Sequence, residues 1–187
     1  MRWTDENPFT VFEDEALAVA RAMLASVPLG GGPVEISPFD VSCWNSALGI
    51  LSGAGDETDL PRVFALVDLA MTGHADLSTL ELMDLFWAVE ILVDEWTRDA
   101  VRARLHAILT RSDIPDPLRM EAIGFLAKEE HLKVHFALED AVVPLLRHDD
   151  VWVATTAAQA LVGRPGYDHL VREVVATWDG SPTGLYC

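Results

Sequence analysis

His131 and His135 stand four residues apart in a stretch with helical periodicity. In a helix this spacing puts both imidazoles on one face, and the adjacent Glu130 could add an oxygen ligand for zinc or iron. Such a site needs three or four ligands, and no second His-x-x-x-His or Glu-x-x-His sequence occurs in the chain. The pattern therefore favours solvated or helix-capping histidines over a metal centre, and we predict no metal and no cofactor.

The sequence contains no pattern that indicates nucleophilic catalysis. There is no Gly-x-Ser-x-Gly turn, Cys43 lies in an apolar helical stretch, and Cys187 is the last residue. The glycines at 30–32 lack the Lys-Ser pair and the preceding strand of a phosphate-binding loop, so they indicate a flexible linker. We predict two free thiols and no enzymatic activity.

Large apolar side chains beside carboxylates point instead to protein binding. In the segment 78–93, Trp87 and Ile91 fall opposite the main apolar sector, next to Asp84. Either this is an inner helix buried on several sides, or these residues form an exposed, acid-rimmed interface.

Trp152 can likewise be interpreted as either an exposed or a buried residue. It follows two acidic residues at a predicted helix entrance, so it is either an aromatic anchor with an acidic collar or a side chain packed on the neighbouring turn. We predict these partner-binding residues: Asp84, Trp87, Ile91, Glu121, Asp149, Asp150 and Trp152.

The charge balance restricts the class of partner. The chain carries 30 acidic and 13 basic residues, a net charge of -17. This charge repels phosphate backbones, which argues against nucleic acid and favours a basic protein surface as the partner. The other interpretation is that the acidity only keeps the protein in solution.

Length and hydropathy indicate one domain over 1–187, with a lead-in at 1–10 and a loose tail at 179–187. No apolar leader and no membrane-length apolar run occurs, which predicts a cytoplasmic protein. Eleven arginines against Lys128 and Lys133 are typical of a GC-rich bacterial genome. The oligomeric state is left open by the sequence.

Apolar positions recur at three- and four-residue steps along most of the chain, which predicts an all-α fold. Ser37, Pro38 and Asp40 form a helix-start pattern, and Pro144 should kink one helix without ending it. The predicted helices are 11–27, 37–52, 60–71, 78–93, 97–110, 116–128, 131–148, 151–162 and 167–178.

Two helices repeat one pattern at a distance of thirty-five residues: Leu118-Arg119 with Ala122 and Leu126, and Val153 with Ala157 and Leu161. With Pro144 at the kink of an outer helix, these segments resemble the HEAT family of helical repeats. The resemblance implies a right-handed α-solenoid of about four stacked helical hairpins and suggests that Asp113 pairs with Arg119. In the later copy Ala154 replaces the arginine and His148 stands at the aspartate position.

Solenoids of this kind usually bind other proteins. We therefore expect an acidic protein-binding module, foremost an immunity or inhibitor protein that covers a basic surface or active cleft of a bacterial toxin or enzyme. Two other functions stay open: a non-catalytic scaffold or regulatory subunit, and a metal-dependent HEAT-like enzyme.

Overall fold

The computed structural model describes residues 8–29, 35–74 and 77–178, and for 8–12, 130 and 131 the backbone alone. Every regular element in these ranges is a helix, as predicted. The chain divides into two compact units, 1–92 and 93–187. The predicted tail 179–187, most of the lead-in and the glycines at 30–32 lie outside the described residues, and the single domain stays a prediction.

The described part of the first unit contains four helices and a short 3₁₀ segment. The bounds are α1 Pro8–Leu24, α2 Pro38–Ala54, the 3₁₀ segment Glu57–Asp59, α3 Leu60–Ala70 and α4 Leu82–Leu92. Helix α1 packs on α2, α2 packs on α4, and α3 packs on α4.

Helix α2 begins where the sequence pattern predicts. The Ser37 hydroxyl accepts the Asp40 amide at 3.2 Å, and the Asp40 carboxylate accepts the Ser37 amide at 3.0 Å, so both form a capping box. Val41, Trp44, Leu48 and Leu51 recur at three- and four-residue steps along α2 and are all buried. The buried Trp44 still satisfies its indole N–H, which donates to the hydroxyl of Ser26 on the α1 side at 3.0 Å.

Charged side chains link α1 to the start of α3. The Arg21 guanidinium donates to the Asp56 carboxylate at 2.7 Å and to the buried Asp59 carboxylate at 2.8 Å. Arg62 on α3 donates to the carbonyl of Val27 beyond the end of α1. Both arginines therefore hold the first unit together.

Residues 93–178 of the second unit contain six helices and a 3₁₀ segment. The bounds are α5 Arg98–Thr110, α6 Asp116–Leu126, α7 Glu129–Leu132, α8 Glu139–Val142, a 3₁₀ segment Val143–Arg147, α9 Val151–Leu161 and α10 Asp168–Val175. Helix α5 packs on α6, the segment around Pro144 packs on α9, α6 packs on α9, and α5 packs on α8.

The predicted continuous helix 131–148 is wrong. Helix α7 ends at Lys133, whose φ is 54°, and Ala137 also has a left-handed φ of 53°. Between them Phe136 is buried against Phe125, with ring centroids 5.8 Å apart, and its amide donates to the Glu129 carboxylate at 2.7 Å. Tertiary burial of Phe136 thus overrides local helical periodicity, and Pro144 opens a 3₁₀ turn instead of kinking a helix.

The expected pairing of Arg119 with Asp113 is also wrong. Asp113 pairs with Arg111 at 2.7 Å, while buried Arg119 donates to main-chain carbonyls at the end of α5. Asp116 is the first residue of α6 and not its N-cap. The acceptors of Arg119 are the carbonyls of Ile108 (3.3 Å), Leu109 (3.1 Å), Arg111 (3.0 Å) and Ile114 (3.2 Å).

Candidate functional site

Helix α4 carries a row of exposed apolar side chains. Trp87 is 42% exposed and Ile91 is 53% exposed, with Met83 exposed one turn before Trp87. Asp84 lies on the same helix and is half-buried. Trp87 and Ile91 are therefore not buried, and of the two alternatives the structure favours an exposed apolar surface beside a carboxylate.

The entrance of α9 presents a second aromatic residue beside carboxylates. Trp152 is 70% exposed, next to exposed Val151, so it does not pack into the neighbouring turn. Asp150 caps α9, since its carboxylate accepts the amides of Trp152 at 2.7 Å and Val153 at 3.3 Å. Asp149 is exposed.

The predicted site residues fall into separate groups. Asp84, Trp87 and Ile91 lie together on α4 of the first unit. The α9 entrance with Trp152 belongs to the second unit, and half-buried Glu121 lies on the adjacent helix α6. A role of these residues in partner binding stays a prediction.

Trp96 is an exposed aromatic residue that sequence reasoning missed. It is 89% exposed in the turn before α5, close in sequence to the acidic residues Glu95 and Asp99. The Asp94 carboxylate accepts the amides of Trp96 at 2.9 Å and Thr97 at 2.7 Å, and the Asp94 amide donates to the Thr97 hydroxyl at 2.8 Å.

The hydrogen bonds among Asp94, Trp96 and Thr97 change the pKa of Asp94 and fix the backbone of the turn. The amide and hydroxyl of Thr97 lower the pKa of Asp94, because both stabilise its charged form. They also fix the backbone that carries Trp96, which reduces the entropy that an anchoring side chain loses on binding. The available sequence signal was a tryptophan within an acidic turn that follows a helix.

Potential metal ligands converge at a place other than the predicted one. Glu129, His135 and Glu139 bring ligand atoms within 4.8 Å of one another. His135 lies beyond the end of α7, so it does not share a helix face with His131 as predicted. The side chains of Glu130 and His131 lie outside the described part of the structure.

Arg164 already supplies a positive charge to this group. Its Nη1 lies 2.6 Å from the Glu129 carboxylate and 3.2 Å from that of Glu139, while Nη2 donates to the Leu126 carbonyl at 2.9 Å. Glu129 is only 4% exposed and accepts the Phe136 amide as well. This composition fits a structural ion-pair network that ties α7 and α8 to the end of α9.

Comparisons with protein-family models, with curated proteins and with solved structures found no match for this chain. The resemblance to HEAT repeats is therefore untested by relatives. Among the described helices, none combines the length and the apolar character that crossing a membrane requires.

Proposed function

We propose that this protein is an acidic protein-binding module that captures a basic protein and inhibits it, as an immunity protein does. The observation that carries the proposal is the exposure of Trp87, Trp96 and Trp152, each close in sequence to carboxylates. Exposed tryptophans are costly in a free protein, and they are enriched among the residues that dominate binding energy at interfaces.

The charge of the chain supports a basic partner. Acidic residues outnumber basic ones by 30 to 13. Several arginines also serve internal contacts: Arg21 binds two aspartates, Arg119 binds carbonyls, and Arg164 binds two glutamates. The anionic surface would speed association with a cationic partner, while buried aromatic contacts would slow dissociation.

The proposal also includes the way in which the helices stack. In the first unit α1 pairs with α2, α3 pairs with α4, and α2 contacts α4; in the second α5 pairs with α6, and α6 contacts α9. These contacts support stacked helical hairpins of a HEAT-like, right-handed α-solenoid. We place it in the bacterial cytoplasm, where its partner would be a toxin or enzyme with a basic active cleft.

Affinity capture from cells of the native host tests this function. The tagged full-length chain should retain a basic protein at about 0.05 M salt and release it at about 0.5 M salt, because screening weakens long-range attraction. In a purified assay the captured protein should lose its activity when the chain is added in excess. The variants Trp152→Ala and Asp149→Asn should each weaken inhibition at least tenfold.

The replacement Asp150→Asn tests charge with little effect on the fold, since asparagine also caps helices well. If the captured protein stays fully active with the chain bound, inhibition is wrong and the scaffold function takes its place. If capture does not respond to salt or to the combined Asp149→Asn and Asp150→Asn change, the electrostatic part is wrong.

A further inference from the structure

We infer that the α2–α4 surface of the first unit binds one amphipathic, basic α-helix of a partner protein. This inference rests on the proposed function and deepens it, because it names the surface and the shape and chemistry of what it holds. It is carried by the exposed apolar row on α4 together with the charge of residues 1–92.

The row on α4 has helical spacing. Met83, Trp87 and Ile91 follow one another at four-residue steps and are all exposed. With a rise of about 1.5 Å per residue, the row extends about 12 Å along the helix axis, or a little more than two turns. A partner helix laid alongside could cover it with side chains at matching three- and four-residue steps.

Helix α2, which packs on α4, has a stripe of small exposed residues. Its exposed positions include Ser42, Ser46, Gly49 and Gly53, which recur at three- and four-residue steps. A Cβ placed on Gly49 or Gly53 meets no atom within 4 Å, so the space above this stripe is open. Small side chains permit the close approach of another backbone. The larger exposed side chains of α4 would then contact the approaching helix on one side.

Asn45 ties α2 to the start of α4. Its side-chain amide donates to the Thr79 carbonyl at 2.8 Å, and its carbonyl oxygen accepts the Glu81 amide at 2.9 Å. Helix α2 also packs directly on α4, so the two exposed stripes lie on neighbouring helices. Phe39 is exposed near the N-terminal end of α2.

The negative charge of the first unit favours a positively charged partner helix at this surface. Residues 1–92 contain 3 basic residues, Arg2, Arg21 and Arg62, against 15 acidic ones, which gives 3 − 15 = -12 of the total -17. Helices α2 and α4 contain no lysine or arginine, whereas Glu81 is exposed at the start of the α4 row. A second copy of this chain would bring like charges together, so a cationic partner helix fits and a self-associating face does not.

A synthetic helical peptide provides a direct test with the full-length protein. The probe has about 18 residues, with leucines at three- and four-residue steps and lysines elsewhere, which gives about five helical turns. The control peptide has the same residues rearranged so that the leucines are spread around the helix. In isothermal titration calorimetry we expect the amphipathic peptide to bind at least tenfold more tightly than the control.

Two variants locate the binding surface. Gly49→Trp should fill the open stripe of α2 and weaken peptide binding at least tenfold, with unchanged circular dichroism, because Gly49 is exposed and a Cβ added there meets no atom within 4 Å. Trp87→Ala should weaken binding by a similar factor. The control is Val162→Ala, an exposed apolar residue of the second unit, which should leave peptide binding unchanged.

Equal binding of both peptides, or no measurable binding of either, would overturn the inference. It would also fail if Val162→Ala weakened binding while Gly49→Trp and Trp87→Ala did not. These outcomes leave the proposed function standing, since inhibition of a captured basic protein is measured separately. Conversely, helix binding without inhibition of any captured partner would overturn the immunity function alone.

Discussion

At the scale of residues, Arg164 has a large expected effect on stability. It neutralises Glu129, which is almost fully buried, and contacts Glu139 as well. We predict that Arg164→Met lowers the free energy of unfolding by about 3 kcal/mol, because removal of one partner leaves a buried charge without compensation. Urea denaturation followed by circular dichroism measures this change.

The double variant Glu129→Gln with Arg164→Met is the control. Glutamine keeps an oxygen that can accept the Phe136 amide, and it removes the uncompensated charge. The double variant should therefore recover part of the lost stability. A loss below about 1 kcal/mol in the single variant would mean that solvent screens this network as it screens a surface ion pair.

Asp56 makes the stability of the first unit depend on pH in the acid range. The hydroxyl and amide of Thr58, with Arg21, lower the pKa of Asp56 to about 2. Its contribution is therefore fully present above the ordinary aspartate pKa of about 3.9 and is lost as pH falls toward 2.

We predict that Asp56→Asn is less stable than the original protein at pH values above about 4, and that the difference disappears as the pH approaches 2. The difference should stay below about 1 kcal/mol, because the Asp56 side chain is half-exposed. Urea unfolding across this pH range measures it. Glu57→Gln, an exposed neighbour, is the control, and a gap that widens with acid would contradict the assignment.

At the scale of elements, Arg119 closes the end of α5. The last carbonyls of a helix lack partners within the helix, and here a buried guanidinium binds several of them. We predict that Arg119→Met costs about 3 kcal/mol, since a buried charged donor is lost and its acceptors remain. Thermal and urea unfolding would measure the loss.

Arg111→Ala is the matched control for this prediction. Arg111 lies in the same turn, but its partner Asp113 is exposed, so the change should cost much less than Arg119→Met. Equal effects of the two substitutions would contradict a capping role for Arg119.

The helix starts and stops that have local chemical signals were predictable from the sequence. Ser37 caps α2, Asp150 precedes α9, and Gly163 has a left-handed φ of 79° after the end of α9. Each signal depends on one residue and its nearest neighbours. The predicted helices outside 131–148 are accordingly found, with ends that shift by a few residues.

The interruption at 133–138 was not predictable in the same way. The left-handed residues are Lys133 and Ala137, neither of which favours that conformation. They adopt it because the fold buries Phe136 and orients Glu129 toward its amide and toward Arg164. These partners are distant in sequence, so neither the break nor the Glu129 cluster has a local signal. The exposure of the predicted site tryptophans likewise depends on which helices pack around them.

At the scale of the whole molecule, net charge should act on stability and on binding in opposite directions. The charge of -17 repels itself in the folded state. We predict that raising sodium chloride from about 0.01 M to about 0.5 M increases the thermal midpoint, because the Debye length falls below the spacing of surface charges. The same change should weaken association with a basic partner.

Differential scanning calorimetry measures the first effect. A variant with Glu13→Gln and Glu15→Gln, both exposed on α1, should respond less to salt, because it carries less negative charge. A thermal midpoint that falls with salt would show that attractive ion pairs outweigh the repulsion.

The tryptophans provide a built-in optical reporter. Trp44 is buried with its indole N–H bonded to Ser26, whereas Trp87, Trp96 and Trp152 are exposed. Indole emission shifts to shorter wavelength when water leaves the ring, and acrylamide quenches exposed rings more strongly than buried ones. Fluorescence of the unlabelled protein can therefore register the covering of its surface, and replacing the exposed tryptophans one at a time by phenylalanine would tell which side chain a ligand covers.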